Sequence, residues 1–227
     1  MRTLVVIPAR SGSEGLPNKN IKLLNGKPLI HYSIEVAQQI FSNEDICIST
    51  DSDKYIKIAE QTGLKVPFVR PETLSTDNAT TQDVLLHCLD FYEQKGVSYD
   101  YILLLQPTSP FREKKHLEDI LIANIEESDM IVSVKETDSN PYYVLLEENE
   151  EGYLKKLMKG EFTRRQDCPK VYEYNGSIYL IKVSSLKEKL ISSFTKIKKY
   201  EMNSKYSLDI DSEIDFKLAE VLLDYES

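Results

Sequence analysis

A short apolar run, residues 4–8, leads directly into Pro8-Ala9-Arg10-Ser11-Gly12-Ser13-Glu14-Gly15-Leu16-Pro17-Asn18-Lys19-Asn20. Glycines let backbone amides turn inward as an anion-binding nest, so Gly12, Ser13 and Gly15 could face phosphate oxygens. Arg10 adds a planar charged fork and Lys19 a point charge. This is phosphate-binding chemistry, with a plain glycine turn as the alternative. The Gly-Lys-Ser/Thr ending of an ATPase-type loop is absent, and the spacing differs from the dinucleotide fingerprint. Near the other end stands Asp209-Ile210-Asp211. In an extended segment i and i+2 share a face, so the two carboxylates can converge, and two like charges need a cation between them. Magnesium bridging to phosphates fits that need. Asp211 also precedes Ser212 and Glu213 and could cap the last helix; Asp209 has less structural reason to be there.

The elements that must position these residues follow from the pattern of apolar side chains. Residues 4–8 and 45–49 read as strands, 29–41 and 53–62 as helices, and 66–69 as a further strand candidate. A polar loop then runs to Asn78, a helix covers 80–94, and the continuous apolar run Tyr101–Leu105 reads as a strand buried on both faces. Strands alternating with helices imply right-handed crossovers and an α/β fold with an open, mostly parallel sheet. Ligands then belong outside the carboxyl ends of the strands. Beyond about residue 135 the pattern breaks. Residues 140–170 read as an inserted, hairpin-containing lobe, and the chain rejoins the sheet near 176–182. A last helix over 214–225 puts Ile214, Leu218, Val221, Leu222 and Tyr225 on one face, which would pack on the sheet. The 227 residues thus form one domain with a lobe.

Composition narrows the function classes. With 41% hydrophobic and 29% charged residues the chain is globular rather than disordered. No apolar run approaches the roughly 18 residues of a membrane span, and no secretory segment is visible at the start. A net charge of −9 repels polyanions, so a general nucleic-acid binder is excluded, whereas a small phosphate ligand is not. Cys47, Cys88 and Cys168 are odd in number and unpaired in spacing, which argues against a disulfide framework or zinc and for a reducing cytoplasm. His31, His87 and His116 are read as packing or surface residues, and Cys88 as core.

The loop after the first strand resembles the signature of the acylneuraminate cytidylyltransferases, which make CMP-activated nine-carbon sugar acids. Further stretches agree in order and spacing: Asn25-Gly26-Lys27-Pro28-Leu29, Ser49-Thr50-Asp51-Ser52, Leu105-Gln106-Pro107-Thr108-Ser109-Pro110, Asn175-Gly176-Ser177-Ile178-Tyr179 and Asp209-Ile210-Asp211. The resemblance covers nearly the whole chain. It implies a Rossmann-like nucleotidyltransferase sheet, and a reaction of CTP with a sialic-acid-like nonulosonic acid giving CMP-sugar and pyrophosphate.

Under that resemblance Arg10 and Lys19 are the catalytic cations, and Gly12, Ser13, Gly15, Asn20, Arg70 and Thr81 bind the nucleotide. Gln106, Arg165, Asn175 and Tyr179 hold the sugar, while Asp209 and Asp211 hold Mg2+. The resemblance also implies a homodimer with the lobe of one subunit over the other's site, Tyr142 and Tyr143 being candidate contacts. Without it, Arg70 reads as a surface charge, Thr81 as part of a helix cap, Tyr179 as a core tyrosine and Lys27 as a solvated loop lysine. The chain departs from the family pattern at Glu14, where a lysine is usual, and at Tyr143, Glu173, Tyr174, Ser192 and Ser193. All but the first fall on the sugar side, so legionaminic acid or the deaminated sugar is an alternative substrate. Kdo, a hexose 1-phosphate, or a catalytically inactive nucleotide-binding paralogue are further readings.

Overall fold

The computed structural model describes residues 2–12, 15–123 and 125–225. In chain order the elements are β1 (Thr3–Pro8), a small ribbon of β2 (Leu23–Leu24) and β3 (Lys27–Pro28), α1 (Leu29–Gln38), β4 (Ile46–Ser49) and α2 (Asp53–Glu60). Next come α3 (Thr81–Glu93), β5 (Tyr101–Leu105), α4 (Lys114–Ile122) and β6 (Met130–Glu136). The hairpin β7 (Leu146–Glu148) and β8 (Leu154–Lys156) precedes β9 (Tyr172–Lys182), α5 (Val183–Glu188), β10 (Ile197–Glu201) and α6 (Glu213–Asp224).

The main sheet has the order β10-β6-β9-β5-β1-β4. β1 runs parallel to β4 and β5, and β10 parallel to β6, which gives the expected open, mostly parallel sheet. Alternate residues of β1 explain its unbroken apolarity. Val5 and Ile7 pack with α1 and α2 on one face, while Leu4 and Val6 meet Leu85 and Leu89 of α3 on the other. Both faces are dry. The sheet's β10 edge carries Lys198 and Lys199, the kind of charge that discourages pairing with another chain's edge.

β9 is the exception in direction, antiparallel to both β5 and β6. The reason lies in the lobe. β6 ends at Glu136 beside Tyr172, so the chain leaves and re-enters the sheet at the same end and must return reversed. The lobe therefore springs from the carboxyl end of β6, the side where ligands bind in such sheets. Its β7–β8 hairpin is the irregular excursion the sequence implied.

Two expectations are corrected. Residues 66–69 form no strand: Pro67 has no N–H to give, and in place of a ladder the backbone meets β4's end through the bond from Arg70 N to Thr50 O at 2.7 Å. The face expected to bury α6 is mostly turned outward. Ile214 is 78% and Tyr225 86% exposed, and Leu218 and Val221 are about half exposed, only Leu222 being partly buried. The helix docks instead through Phe216 and Ala219 onto Leu16, Leu24, Leu29, Phe111 and Ile210, a third small core away from the sheet. Burying a phenylalanine contributes up to about 3 kcal/mol, so Phe216 outweighs the better-spaced aliphatic stripe. No described helix is long and apolar enough to cross a membrane.

Candidate active site

Beyond the carboxyl ends of β1 and β5 lies a cavity of about 520 Å³ with Val84, Leu85 and Leu104 among its apolar lining. Its polar lining includes Arg10, Gly15, Lys19, Asn20, Arg70, Thr81, Gln106 and Asp211, so eight sequence-predicted site residues meet in one cleft. Ser13 and Glu14 lie outside the described residues. Gly12 lies outside the cavity lining, with open space where a Cβ would stand.

The loop after β1 is built by contacts far apart in sequence. Ser11 donates from its backbone N and its Oγ to the Asp51 carboxylate, at 2.9 and 2.7 Å. Partial burial pushes the Asp51 carboxyl up, but the Ser11 hydrogen bonds outweigh it and leave the group below its ordinary range. Asn20, 5% exposed, gives its amide N–H to Arg10 O at 3.3 Å, and its buried Oδ1 has no hydrogen-bond partner. That orphaned acceptor is available to a ligand donor. A Cβ on Gly15 would stand 2.4 Å from Asp211 O, so the loop can lie this close to the last strand-like segment only as glycine.

Arg10 Nη1 lies 2.5 Å from Asp77 Oδ1, and Lys19 Nζ lies 2.6 Å from Asp211 Oδ1 and 3.0 Å from Ile210 O. Arg70 is 4% exposed and bonds Ser49 through its Nε at 2.9 Å and through Nη2 to the carbonyl. Burial lowers its pKa. It is thus a built-in part of the cleft wall rather than a surface charge. Thr80, not Thr81, caps α3: it exchanges hydrogen bonds with Asp83 in a capping box, which leaves the Thr81 side chain to the cleft.

Where β9 meets the cleft, Gly176 is the pivot. Its φ of +71° is a glycine conformation, and a Cβ there would lie 2.9 Å from Asp209 Oδ2 and 3.5 Å from Gln106 Oε1. Those two oxygens therefore converge over it. Gly176→Ala is expected to destabilise the protein by about 2 kcal/mol from the left-handed backbone and more from displacing Asp209. Thermal denaturation should show Tm falling by roughly 4–8 °C; an unchanged Tm would refute the crowding.

Asn175 is 3% exposed and its amide is fully engaged inside the fold. Its Oδ1 accepts from Ser133 Oγ at 2.6 Å and its Nδ2 donates to Ser207 Oγ at 3.0 Å. It shapes the turn at Gly176 and does not line the cleft. Tyr179 packs edge-on to Tyr174 at 6.1 Å, and burial together with the nearby Asp209 charge pushes its hydroxyl up to about 12. Arg165 sits on the lobe, exposed and paired with Asp138, outside the cavity lining. Lys27, half-buried, pairs with Glu35 at 2.6 Å and is not part of the cleft.

Asp209 suits a divalent cation. Its Oδ1 is buried without a hydrogen-bond partner, which leaves an acceptor free for a cation, and burial raises its pKa against the pull of Lys19 and Arg112. Among the described residues no three metal-ligating side chains converge. Two carboxylates with the remaining ligands from phosphates and water is the usual arrangement for Mg2+.

A model of the family described as Cytidylyltransferase matches residues 4–226. The chain belongs to that family. Among relatives of this cytidylyltransferase, CMP-N,N'-diacetyllegionaminic acid synthase of Legionella pneumophila is 35% identical over 99% of this chain and 97% of its own length. N-acylneuraminate cytidylyltransferase of Streptococcus agalactiae serotype V is 38% identical over 95% of this chain, which spans about half (52%) of that protein. The fold matches a CMP:2-keto-3-deoxy-manno-octonic acid synthetase complexed with CTP, with a TM-score of 0.73, 18% identity and full coverage of both chains.

Three residues that build the cleft carry no role in the sequence pattern: Asp77, which lines it, and Asp51 and Arg112, which hold Ser11 and the Gln106 carbonyl from behind. Asp51 stood inside a quoted motif, which was a usable signal. Asp77 is one acid in a polar loop, and nothing local distinguishes it from its neighbours.

Proposed function

We propose that this chain transfers CMP from CTP to the anomeric hydroxyl of a sialic-acid-like nonulosonic acid, with release of pyrophosphate. The observation that carries the reading is the convergence of Arg10 and Lys19 with Asp211 on one cavity that Gln106 also lines. The anomeric hydroxyl oxygen attacks the α-phosphorus in line, the bond to the departing pyrophosphate breaks, and the hydroxyl proton is lost to water. Such a reaction is accelerated by positioning and by charges aimed where negative charge grows. Arg10 and Lys19 would exchange their present carboxylate partners for phosphate oxygens, and Asn20, Gly15, Arg70 and Thr81 would hold the nucleotide. Asp209 and Asp211 would hold Mg2+, which when bound neutralises phosphate charge. Gln106 would meet the sugar, with Asn175 shaping the wall beside it. Arg165 and Tyr179 complete the sugar-binding set we propose.

The lobe supports a homodimer, because Val144, Leu146, Tyr153 and Leu154 are 48–69% exposed on it, with Tyr143 beside them. The buried free thiols of Cys47 and Cys88 suit a reducing cytoplasm.

Pyrophosphate release from CTP and magnesium with a panel of N-acetylneuraminic acid, the deaminated sugar, legionaminic acid and Kdo tests the reading. Turnover is expected with a nine-carbon acid, and which one turns over decides between N-acylneuraminate and legionaminate chemistry. Release with none of them would overturn the assignment and favour a nucleotide-binding subunit. The same preparation in light scattering should have twice the 26.1 kDa chain mass; a fully active monomer would remove the dimer.

A further inference from the structure

The described chain buries a guanidinium that the reaction scheme above leaves without work. Arg112, 4% exposed, sits in the turn between β5 and α4. Its Nη1 donates to Ser33 Oγ of α1 at 2.6 Å, its Nε to Ser177 Oγ of β9 at 3.2 Å, and its Nη2 to the Gln106 carbonyl. All three partners are neutral oxygens. A buried cation held this way is costly unless a nearby negative charge compensates it, and the one carboxylate that acts on it is Asp209. Burial lowers the pKa of Arg112 to about 9, against the pull of Asp209.

The geometry has a specific output. Gln106 leaves the end of β5 with its backbone carbonyl gripped from behind by Arg112 and also accepting from Ser33 Oγ at 3.4 Å. Its side-chain Oε1 lies over Gly176, where Asp209 Oδ2 also converges, and its residue lines the cleft. The fork thus clamps together the three elements that meet at the sugar side: α1, the turn after β5, and β9. A lysine could supply the charge, but it lacks the planar fork that reaches three acceptors at once.

We propose that Arg112 is a positioning residue for sugar recognition, holding the Gln106 main chain so that the Gln106 side chain meets the sugar acid. This rests on the reading of Gln106 as a sugar contact. The hydrogen bonds of the clamp go to Ser33, Ser177 and Gln106, whereas Arg10 pairs with Asp77 and Lys19 with Asp211; Arg112→Lys keeps the positive charge beside Asp209, so the effect of loosening the fork falls on the sugar.

The test is steady-state kinetics of Arg112→Lys, Gln106→Ala and the double variant, with the sugar acid that the panel selects and with CTP. Because misplacing a binding group by about 1 Å can cost up to ~10²-fold, Arg112→Lys is expected to raise KM for the sugar at least about tenfold. KM for CTP should stay within about twofold, and the double variant should be no worse than Gln106→Ala alone, since both act through one group. Equal rises in both KM values, or full additivity in the double variant, would overturn the proposal. An effect of Gln106→Ala with none from Arg112→Lys would overturn it while leaving the sugar reading intact. No effect of Gln106→Ala on the sugar would instead refute the sugar contact itself, and the proposal with it. Should Arg112→Lys not fold, Ser33→Ala and Ser177→Ala each remove one anchor of the fork, and the same selective rise in sugar KM is required of them.

Discussion

Arg10→Ala is expected to lower kcat/KM for CTP by about 10³-fold, the loss typical of removing a cation or donor aimed at developing phosphate charge. Little stability should be lost with it. The Arg10–Asp77 pair is a partly exposed contact, with side chains 32% and 65% accessible, and pairs of this kind contribute about 0–1 kcal/mol. Pyrophosphate release and thermal denaturation on the same preparation separate the two effects. An unchanged Tm with turnover nearly abolished is the expected pair of results. A variant that keeps more than about a tenth of wild-type turnover would show that Arg10 does not face the transferring phosphate. Arg10→Lys should recover part of the loss, because it restores charge without the fork.

Asp209→Asn carries the second large effect. The carboxylate is partly buried with one oxygen unpartnered, but it is also the carboxylate that acts on buried Arg112, so neutralising it removes one desolvation cost and leaves the guanidinium uncompensated, and Tm should fall by several degrees. Turnover should fall by about 10²-fold or more, and the divalent ion concentration for half-maximal rate should rise by a similar factor, if the group holds a catalytic cation. Manganese binding read by electron paramagnetic resonance gives a measure independent of turnover. Asp211→Asn should weaken the ion less, since Asp211 also pairs with Lys19 and is exposed. Tight manganese binding in Asp209→Asn would exclude this carboxylate as a ligand.

The half of the molecule assigned to the nucleotide was more legible in the sequence than the half assigned to the sugar, and the difference is physical. β1 and β5 announce themselves by unbroken apolarity, and the loop after β1 by glycines and cations packed into one short segment. These are local signals. α4, β6 and β10 went unread, and β9 was seen only as a return to the sheet, because strand direction depends on where the lobe begins and ends. The exposed stripe on α6 misled for a related reason: the helix has two apolar stripes, and only the position of Phe216 against Leu24 and Phe111 chooses between them. In the site, Asn175 looked like a ligand, yet its amide is committed to Ser133 and Ser207, contacts spanning 42 and 32 residues. Arg112 carries no local signal and is a buried clamp. Pairings of that range leave no mark on local composition.

The reversal at β9 has a consequence while the protein is being made. β6 is complete at residue 136, but β9 and β10, its neighbours on either side, are not finished until residues 182 and 201. At a synthesis rate of about 5–20 residues per second, β6 waits roughly 2–9 s for β9 with both edges bare. β1, β4 and β5, which carry the phosphate loop, can pair with one another as soon as residue 105 is made. A nascent chain therefore holds the ingredients of a nucleotide cradle well before Asp209 and Asp211 exist to complete it. A message cut short before β9 leaves a strand with no sheet to join, which is a target for chaperones rather than a smaller enzyme.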